Sequence, residues 1–227
     1  MSSEQGTAGD AYSGQVTVGG PADTRTLPGL TVTKVAVGPM NNNAYLLRCT
    51  VTEEQLLIDA ANEADTLLRL VGDAGLATVV TSHRHADHVQ ALAEVVATTG
   101  ATTVAHVDDA PGIPVPTARI VRDGDVVTVG RASLRAIHLV GHTPGSVALL
   151  YDADPASPHL FTGDCLFPGG PGNTFGDAAA FVTLMDDLEA KVFGPLPDST
   201  WIYPGHGLDS TIGVERPHLA EWRARGW

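Results

Sequence analysis

The stretch TSHRHADHVQAL, residues 81–92, places His83, His85, Asp87 and His88 within six positions. It follows an apolar run at 77–81 and opens a helical pattern. Its side chains are therefore expected on a loop at the carboxyl end of a strand, where ligands commonly gather. Residues two apart in an extended loop point to the same side, so His83 and His85 share one direction. Asp87 and His88, at the start of the helix, turn to another. Imidazole and carboxylate groups aimed two ways suit a pair of neighbouring cations better than one. Each cation then needs further ligands from elsewhere in the chain.

Working outward, three residues fill that need. His142 lies in LVGHTPGSVALL (139–150), between two strand patterns, with Gly141 and Gly145 beside it. Asp164 ends the strand pattern in HLFTGDCLF (159–167), where a carboxylate facing two cations could bridge them. His206 sits just past a strand pattern in WIYPGHG (201–207). Each is a His or Asp in a Gly-flanked turn, and glycine allows close backbone approach. Alone, any one reads as an ordinary loop residue; with 83–88 they form a ligand set. His106, His138, His159 and His218 are expected to make ordinary polar contacts, His106 with Asp108.

Short β-branched runs at 31–37, 44–49, 55–59, 78–81, 102–106, 119–121, 126–129, 133–138, 147–151, 160–162 and 200–203 read as strands. Helical patterns run over 63–71, ended by Gly72, and from Ala86, burying Val89, Leu92, Val95 and Val96. Another is capped by Asp177 and carries Phe181, Leu184, Met185, Leu188 and Val192 at helical spacing before Gly194-Pro195. A last one lies around 216–223. Many strands with a few one-sided helices predict an α/β fold, a four-layer αββα sandwich. Residues 1–28, rich in small and polar residues, are expected to form a loose N-terminal arm, and 29–227 a single domain.

At 227 residues, 43% hydrophobic and 17% charged, the composition is that of a globular chain able to bury its own core. The net charge of −13 repels polyphosphate and speaks against nucleic-acid partners. No apolar run approaches the ~18 residues that span a membrane, and the opening residues carry no secretory pattern. With two cysteines, Cys49 and Cys165, no disulfide framework is expected, and a cytoplasmic location follows as the expectation.

The ordered set NNNAYLL (41–47), TSHRHADH (81–88), GHTPGS (141–146), TGDCLF (162–167) and YPGHG (203–207) resembles the metallo-β-lactamase-fold superfamily over nearly the whole chain after about residue 30. GHTPGSVAL, GDCLFPGG, YPGHG and TIGVERPH (211–218) are most similar to the short bacterial hydroxyacylglutathione hydrolase-type, or glyoxalase II-like, branch. The resemblance implies metals held at one end of an αββα sandwich, between the sheets. It implies one metal on His83, His85 and His142, a second on Asp87, His88 and His206, and Asp164 bridging them. The implied cofactors are two divalent ions, Zn²⁺ first, with iron or manganese open. They would hold a hydroxide that attacks the carbonyl of a small thioester or ester. Asp87 would both bind metal and orient the nucleophile. A thiolate leaving group needs little protonation, which suits a site lacking an obvious general acid.

The chain also departs from that branch. Asn173 stands where a basic residue is frequent, and the glutathione-binding residues and helical C-terminal domain of longer members are not recognisable. The thiol carrier is therefore left open. One class of lactamases carries a cysteine at the position of Asp164; here Cys165 comes next and is expected to face away, against β-lactamase activity. Phe167, Pro168 and residues 169–175, with Asn173, are candidates for one substrate wall, and Asn43 and Tyr45 for another. Core packing is the competing reading for Phe167 and Tyr45.

Three other readings compete. A mononuclear iron persulfide dioxygenase of the same superfamily would use His83, His142 and Asp164, but its Arg-Thr-Asp-Phe pattern is missing after Asp164. A phosphodiesterase or nuclease conflicts with the charge. A metal-stabilised interaction module conflicts with the complete ligand set, because purely structural sites are closed to water. The oligomeric state is left open.

Overall fold

The computed structural model describes residues 12–226. The first sheet lays β1 (Asp23–Leu27), β2 (Leu30–Val37), β3 (Asn42–Cys49), β4 (Gln55–Ile58), β5 (Thr78–Val80), β6 (Thr102–His106) and β7 (Arg119–Val121) side by side in chain order. Strands β1 to β4 pair antiparallel, and β4 to β7 pair parallel. Parallel neighbours need long crossovers. Helix α1 (Ala64–Val71) and helix α2 (Leu92–Thr99) lie on two of them.

The second sheet contains β8 (Val126–Val129), β9 (Ala132–His138), β10 (Val147–Tyr151) and β11 (His159–Gly163). A short hairpin of β12 (Leu166–Phe167) and β13 (Gly170–Pro171) follows, then helix α3 (Ala178–Leu188). Strand β14 (Trp201–Pro204) returns parallel to β11, and β15 (Ser210–Thr211) closes the edge, giving the order β15-β14-β11-β10-β9-β8. Helices α4 (Ile212–Glu215) and α5 (Leu219–Arg225) end the described chain.

Strand side chains alternate between faces, and β3 shows the consequence. Tyr45 and Leu47 join Leu56, Val80, Leu149 and Phe161 in the layer between the sheets. Ala44 and Leu46 face the other way, against Leu67, Val71, Leu92 and Val95 of α1 and α2. On the far side, Leu150, Leu160 and Ile202 meet Phe181, Leu184 and Met185 of α3 and Trp222 of α5. Three apolar layers separate four structural ones, and the αββα expectation holds. Among the described residues no helix is long and apolar enough to cross a membrane.

Local differences have local causes. The arm expected over 1–28 gives up residues 23–27 to β1, whose register on β2 runs from Asp23 opposite Lys34 to Leu27 opposite Leu30; residues 1–11 lie outside the described part. The helix expected from Ala86 starts only at Leu92, after a tight turn at Ala86–His88. The amide groups of Gln90 and Ala91 donate instead to the carbonyls of Ala61 and Ala60, so a tertiary contact takes the bonds a helix would use. Val96 is only half-buried there. Strands β12, β13 and β15 are two residues each, too short to show alternation. The Asp177 cap is present, its carboxylate accepting from the amides of Ala179 and Ala180.

One buried imidazole in the second sheet makes a pH prediction. His159 is 4% exposed and its Nδ1 lies 3.0 Å from the Tyr203 hydroxyl. Burial, then the charge of Arg25, pushes its pKa down to about 4, against the opposing pull of Asp154. A folded pKa below the unfolded one means this stability is complete above about pH 6.5 and is lost as pH falls toward 4. His159→Gln is expected to remove about 3 kcal/mol of that acid-driven loss. Urea unfolding at pH 7 and pH 4 measures it; equal losses in both proteins would rule it out.

Candidate metal centre

The site is built from strand ends of both sheets. Leaving β5, the chain turns at Ser82, whose amide and hydroxyl both donate to the Asp59 carboxylate at 2.7 Å. Asp59, just past β4, also lies 2.9 Å from His88 Nδ1. A carboxylate there fixes the proton on Nδ1 and leaves the Nε2 lone pair facing inward. Three other imidazoles follow the same plan. His142 Nδ1 donates to the Asn173 carbonyl (2.8 Å), His206 Nδ1 to the Met40 carbonyl (3.0 Å), and His83 Nδ1 meets the Ser82 hydroxyl (3.0 Å).

Their Nε2 atoms converge on Asp164, which follows β11. Asp164 Oδ2 lies 3.4 Å from His206 Nε2, 3.7 Å from His142 Nε2 and 4.0 Å from His83 Nε2, and Oδ1 lies 3.4 Å from His88 Nε2. Asp87 Oδ2 is 3.4 Å from His88 Nε2 and 3.3 Å from His206 Nε2. Three sets each keep one ligand atom per residue within 4.8 Å: His83, His85 and His142; His83, His88 and Asp164; Asp87, His88 and His206. All seven residues picked out in the sequence meet here.

The residues present fit cations. His83 Nε2, His142 Nε2 and Asp164 Oδ1 are buried without a hydrogen-bond partner, which is costly unless something positive completes them. His88 Nε2 and His206 Nε2 stand 3.2 Å apart, both aiming lone pairs at the same space. Burial opposes charge on His88, yet Asp59 and Asp164 drive its pKa up to about 10, and Asp164 likewise raises His206 against its burial. Burial holds His83, His85 and His142 below the ordinary histidine range. Asp164 is held well below the carboxylate range despite burial, by the His206 and His88 rings beside it. The pocket demands positive charge while keeping most of its imidazoles neutral, as metal binding requires. Gly205 leaves the room: a Cβ there would lie 2.1 Å from Asp164 Oδ1 and 2.8 Å from the His88 ring.

Several supporting residues were not picked out as site candidates. Asn42 Nδ2 donates to Asp87 Oδ2 at 2.8 Å. Asp109, 1% exposed, accepts from the Arg84 amide (2.9 Å), the Thr143 hydroxyl (2.6 Å) and the Gly145 amide (2.9 Å), tying the loop of His85 to the loop of His142. Asp59 was legible in principle, since it ends a strand as Asp164 does; nothing local marks Asp109.

One of the two expected substrate walls, that of Asn43 and Tyr45, needs correction. Tyr45 is 2% exposed, and its hydroxyl donates to the Pro204 carbonyl at 2.6 Å. Asn43 is 1% exposed, and its Nδ2 donates to the Pro204 and Gly207 carbonyls. Both hold the His206 loop and present nothing to a substrate. Phe167 stays partly open, its ring 6.3 Å from that of His206. Asn173 is exposed, with its carbonyl on His142 and its Oδ1 accepting the Phe175 amide. Cys165 faces away from the site, buried in the layer under α3. Among the described residues, a fourth set, His106, Asp108 and His138, meets the same distance limit. Its imidazoles are stacked at 3.8 Å and 23°, and His106 Nδ1 accepts the Asp108 amide, an ordinary polar contact as expected.

Comparison with known proteins identifies the family. The profile of the family described as the Metallo-beta-lactamase superfamily matches residues 37–206. A hydroxyacylglutathione hydrolase of Polaromonas sp. is 36% identical over 169 residues, 73% of this chain and 62% of that protein. One from Fuscovulum blasticum is 34% identical over 175 residues, 76% of this chain and 65% of that protein. The chain thus spans less than two thirds of the length of these relatives. Among solved structures, ETHE1 from Myxococcus xanthus is 30% identical at a TM-score of 0.73, covering 85% of this chain and 84% of that one. TTHA1623, solved in a di-iron-bound form, is 32% identical at 0.68, covering 81% and 96%. With the profile spanning every strand end that feeds the cluster, from β2 to His206, this chain belongs to the metallo-β-lactamase superfamily.

Proposed function

We propose that the protein is a dinuclear metal-dependent hydrolase acting on a small thioester or ester. One observation carries the reading: the Asp164 carboxylate lies within 4.0 Å of four imidazole nitrogens, drawn from both ligand sets. His83, His85 and His142 would hold one cation; Asp87, His88 and His206 would hold the other; Asp164 stands between. When bound, such a pair supplies a hydroxide nucleophile near neutral pH and a Lewis acid for the carbonyl oxygen. The chain's own residues do the rest. Asp59 and Asn42 keep His88 and Asp87 aimed inward. Asp87 and His206 keep side chains 19% and 22% exposed, and Asp87 orients the attacking solvent. The absence of a motif for a general acid favours a thiolate leaving group. The relatives named hydroxyacylglutathione hydrolase support a thioester; the thiol carrier is not assigned.

Zn²⁺ is the first expectation for the metals, and the di-iron form of TTHA1623 supports iron as the other. A second reading, a mononuclear iron persulfide dioxygenase, draws some weight from the likeness to ETHE1. It would leave His85, Asp87, His88 and His206 idle, although they are built into the cluster. Metal analysis of protein purified without added metal, joined to a thioester screen, separates the two. About two metal equivalents with thioester turnover is the expected result. One iron with oxygen uptake on a persulfide, and no hydrolysis, would overturn it.

A further inference from the structure

We propose that Phe175 and the groove beside it bind a hydrophobic acyl group, so that this chain prefers thioesters or esters of apolar acids over those of small hydroxy acids. The inference rests on the hydrolase reading above. Phe175 is 69% exposed, the most exposed large apolar side chain among the described residues. Its φ is +58°, a left-handed conformation that bulky side chains rarely adopt. Exposure and strain both work against folding stability. Residues held in such conformations cluster at ligand clamps and active sites.

The loop makes this conformation a fixed feature. Asn173 Oδ1 accepts the Phe175 amide at 2.7 Å, and the Asn173 carbonyl accepts His142 Nδ1 at 2.8 Å. The Thr174 hydroxyl donates to the Asp177 carbonyl at 3.1 Å, while the Asp177 side chain caps α3. The tip between these anchors carries Phe175 against two imidazoles. Its ring centroid is 5.5 Å from that of His85 and 5.8 Å from that of His142. Both belong to the set with His83, so Phe175 walls one side of the centre and leaves the Asp87–His206 side open.

A groove of about 280 Å³ adjoins it, lined in part by Val140, His142, Pro144, Phe175 and Ala180. A cavity of about 150 Å³ already accepts a benzene ring. A substrate whose carbonyl lies at the metals would carry its acyl substituent past His142 into this groove, under the Phe175 ring. Val140, Pro144 and Ala180 offer it apolar surface; Asp177, the one carboxylate of the lining, is engaged by the Ala179 and Ala180 amides. The occupant is therefore a branched alkyl or aromatic acyl group.

The test uses metal-loaded protein and two thioesters of one thiol, phenylacetyl and 2-hydroxypropanoyl. The wild type is expected to favour phenylacetyl by about 10-fold or more in kcat/KM. Phe175→Asn should bring that ratio toward one, through a raised KM for phenylacetyl, and Phe175→Leu should keep most of it. Asn accepts positive φ, so the Tm of Phe175→Asn should hold or rise by about 2–4 °C. Phenylacetate binding, followed by calorimetry, should weaken about 5-fold or more in Phe175→Asn. An unchanged ratio with unchanged phenylacetate binding overturns the proposal. So does a fall in Tm beyond about 4 °C, which would mark Phe175 as structural. If no thioester or ester is turned over, the hydrolase reading fails, while phenylacetate binding and Tm still decide the role of Phe175.

Discussion

Asp164→Asn is expected to cut turnover by at least about 10³-fold and to lower bound metal from about two equivalents to one or fewer. The change keeps the shape of the side chain and removes its charge, so packing under β11 is preserved. What it removes is the anion shared by His83, His88, His142 and His206, all within 4.0 Å. An amide offers one neutral oxygen where a carboxylate offers two charged ones, and a bridging position needs both. The fold should survive, because the three apolar layers do not include Asp164. Metal analysis, steady-state kinetics and circular dichroism on the same preparation measure the three expectations together. Asp108→Asn is the control, since that carboxylate lies in the stacked cluster and should leave metal content alone. An Asp164→Asn protein that retains two metals and wild-type turnover would falsify the assignment of Asp164 as the shared ligand.

Lys34→Met should destabilise the protein by about 3–5 kcal/mol. Lys34 is fully buried, and its ammonium donates to Asp209 Oδ1 at 2.6 Å and to the Gly14 and Gly207 carbonyls at 2.8 Å each. Asp209 Oδ2 in turn accepts the Tyr12 hydroxyl and the Trp201 indole. Burial alone pushes the Lys34 pKa down, and the Asp209 carboxylate works against that. Methionine fills the same space but leaves Asp209 a buried anion without its cation. Removing one partner of such a pair costs far more than the pair itself contributes. The double variant Lys34→Met/Asp209→Asn should therefore recover part of the loss. The same ammonium fastens the residue after His206. Lys34→Met should thus also weaken metal binding at the Asp87, His88 and His206 set by about 10–100-fold, the usual effect of losing an outer support. Urea unfolding and chelator competition measure the two effects. A single variant as stable as wild type would show that the pair is dispensable.

The seven residues of the cluster are legible because each is a reactive side chain at a strand end, beside glycine or within one tight run. The layered fold is legible for a related reason: β-branched runs and one-sided helices repeat at their own periods, and burial enforces the period. The same rule placed Tyr45 inside without saying what its hydroxyl meets. It donates to Pro204, 159 residues away, and so serves the His206 loop and not a substrate. Asn43, on the same face of β3, is bound in the same way to the Pro204 and Gly207 carbonyls.

The sequence by itself determined which residues are chemically competent and which face of each strand or helix turns inward, because both follow from side-chain chemistry and local spacing. Only the tertiary structure decided how those side chains are held. Asn42 reaches Asp87, Asp109 joins two loops, and Lys34 reaches across to the residue after His206, through bonds between segments 25 to 173 positions apart. It also decided that Phe175 is left outside, strained, against two imidazoles. Spacing along a chain fixes direction over a few residues, whereas a hydrogen bond across the sandwich depends on how two sheets pack, and that is set by every residue in the layers between them.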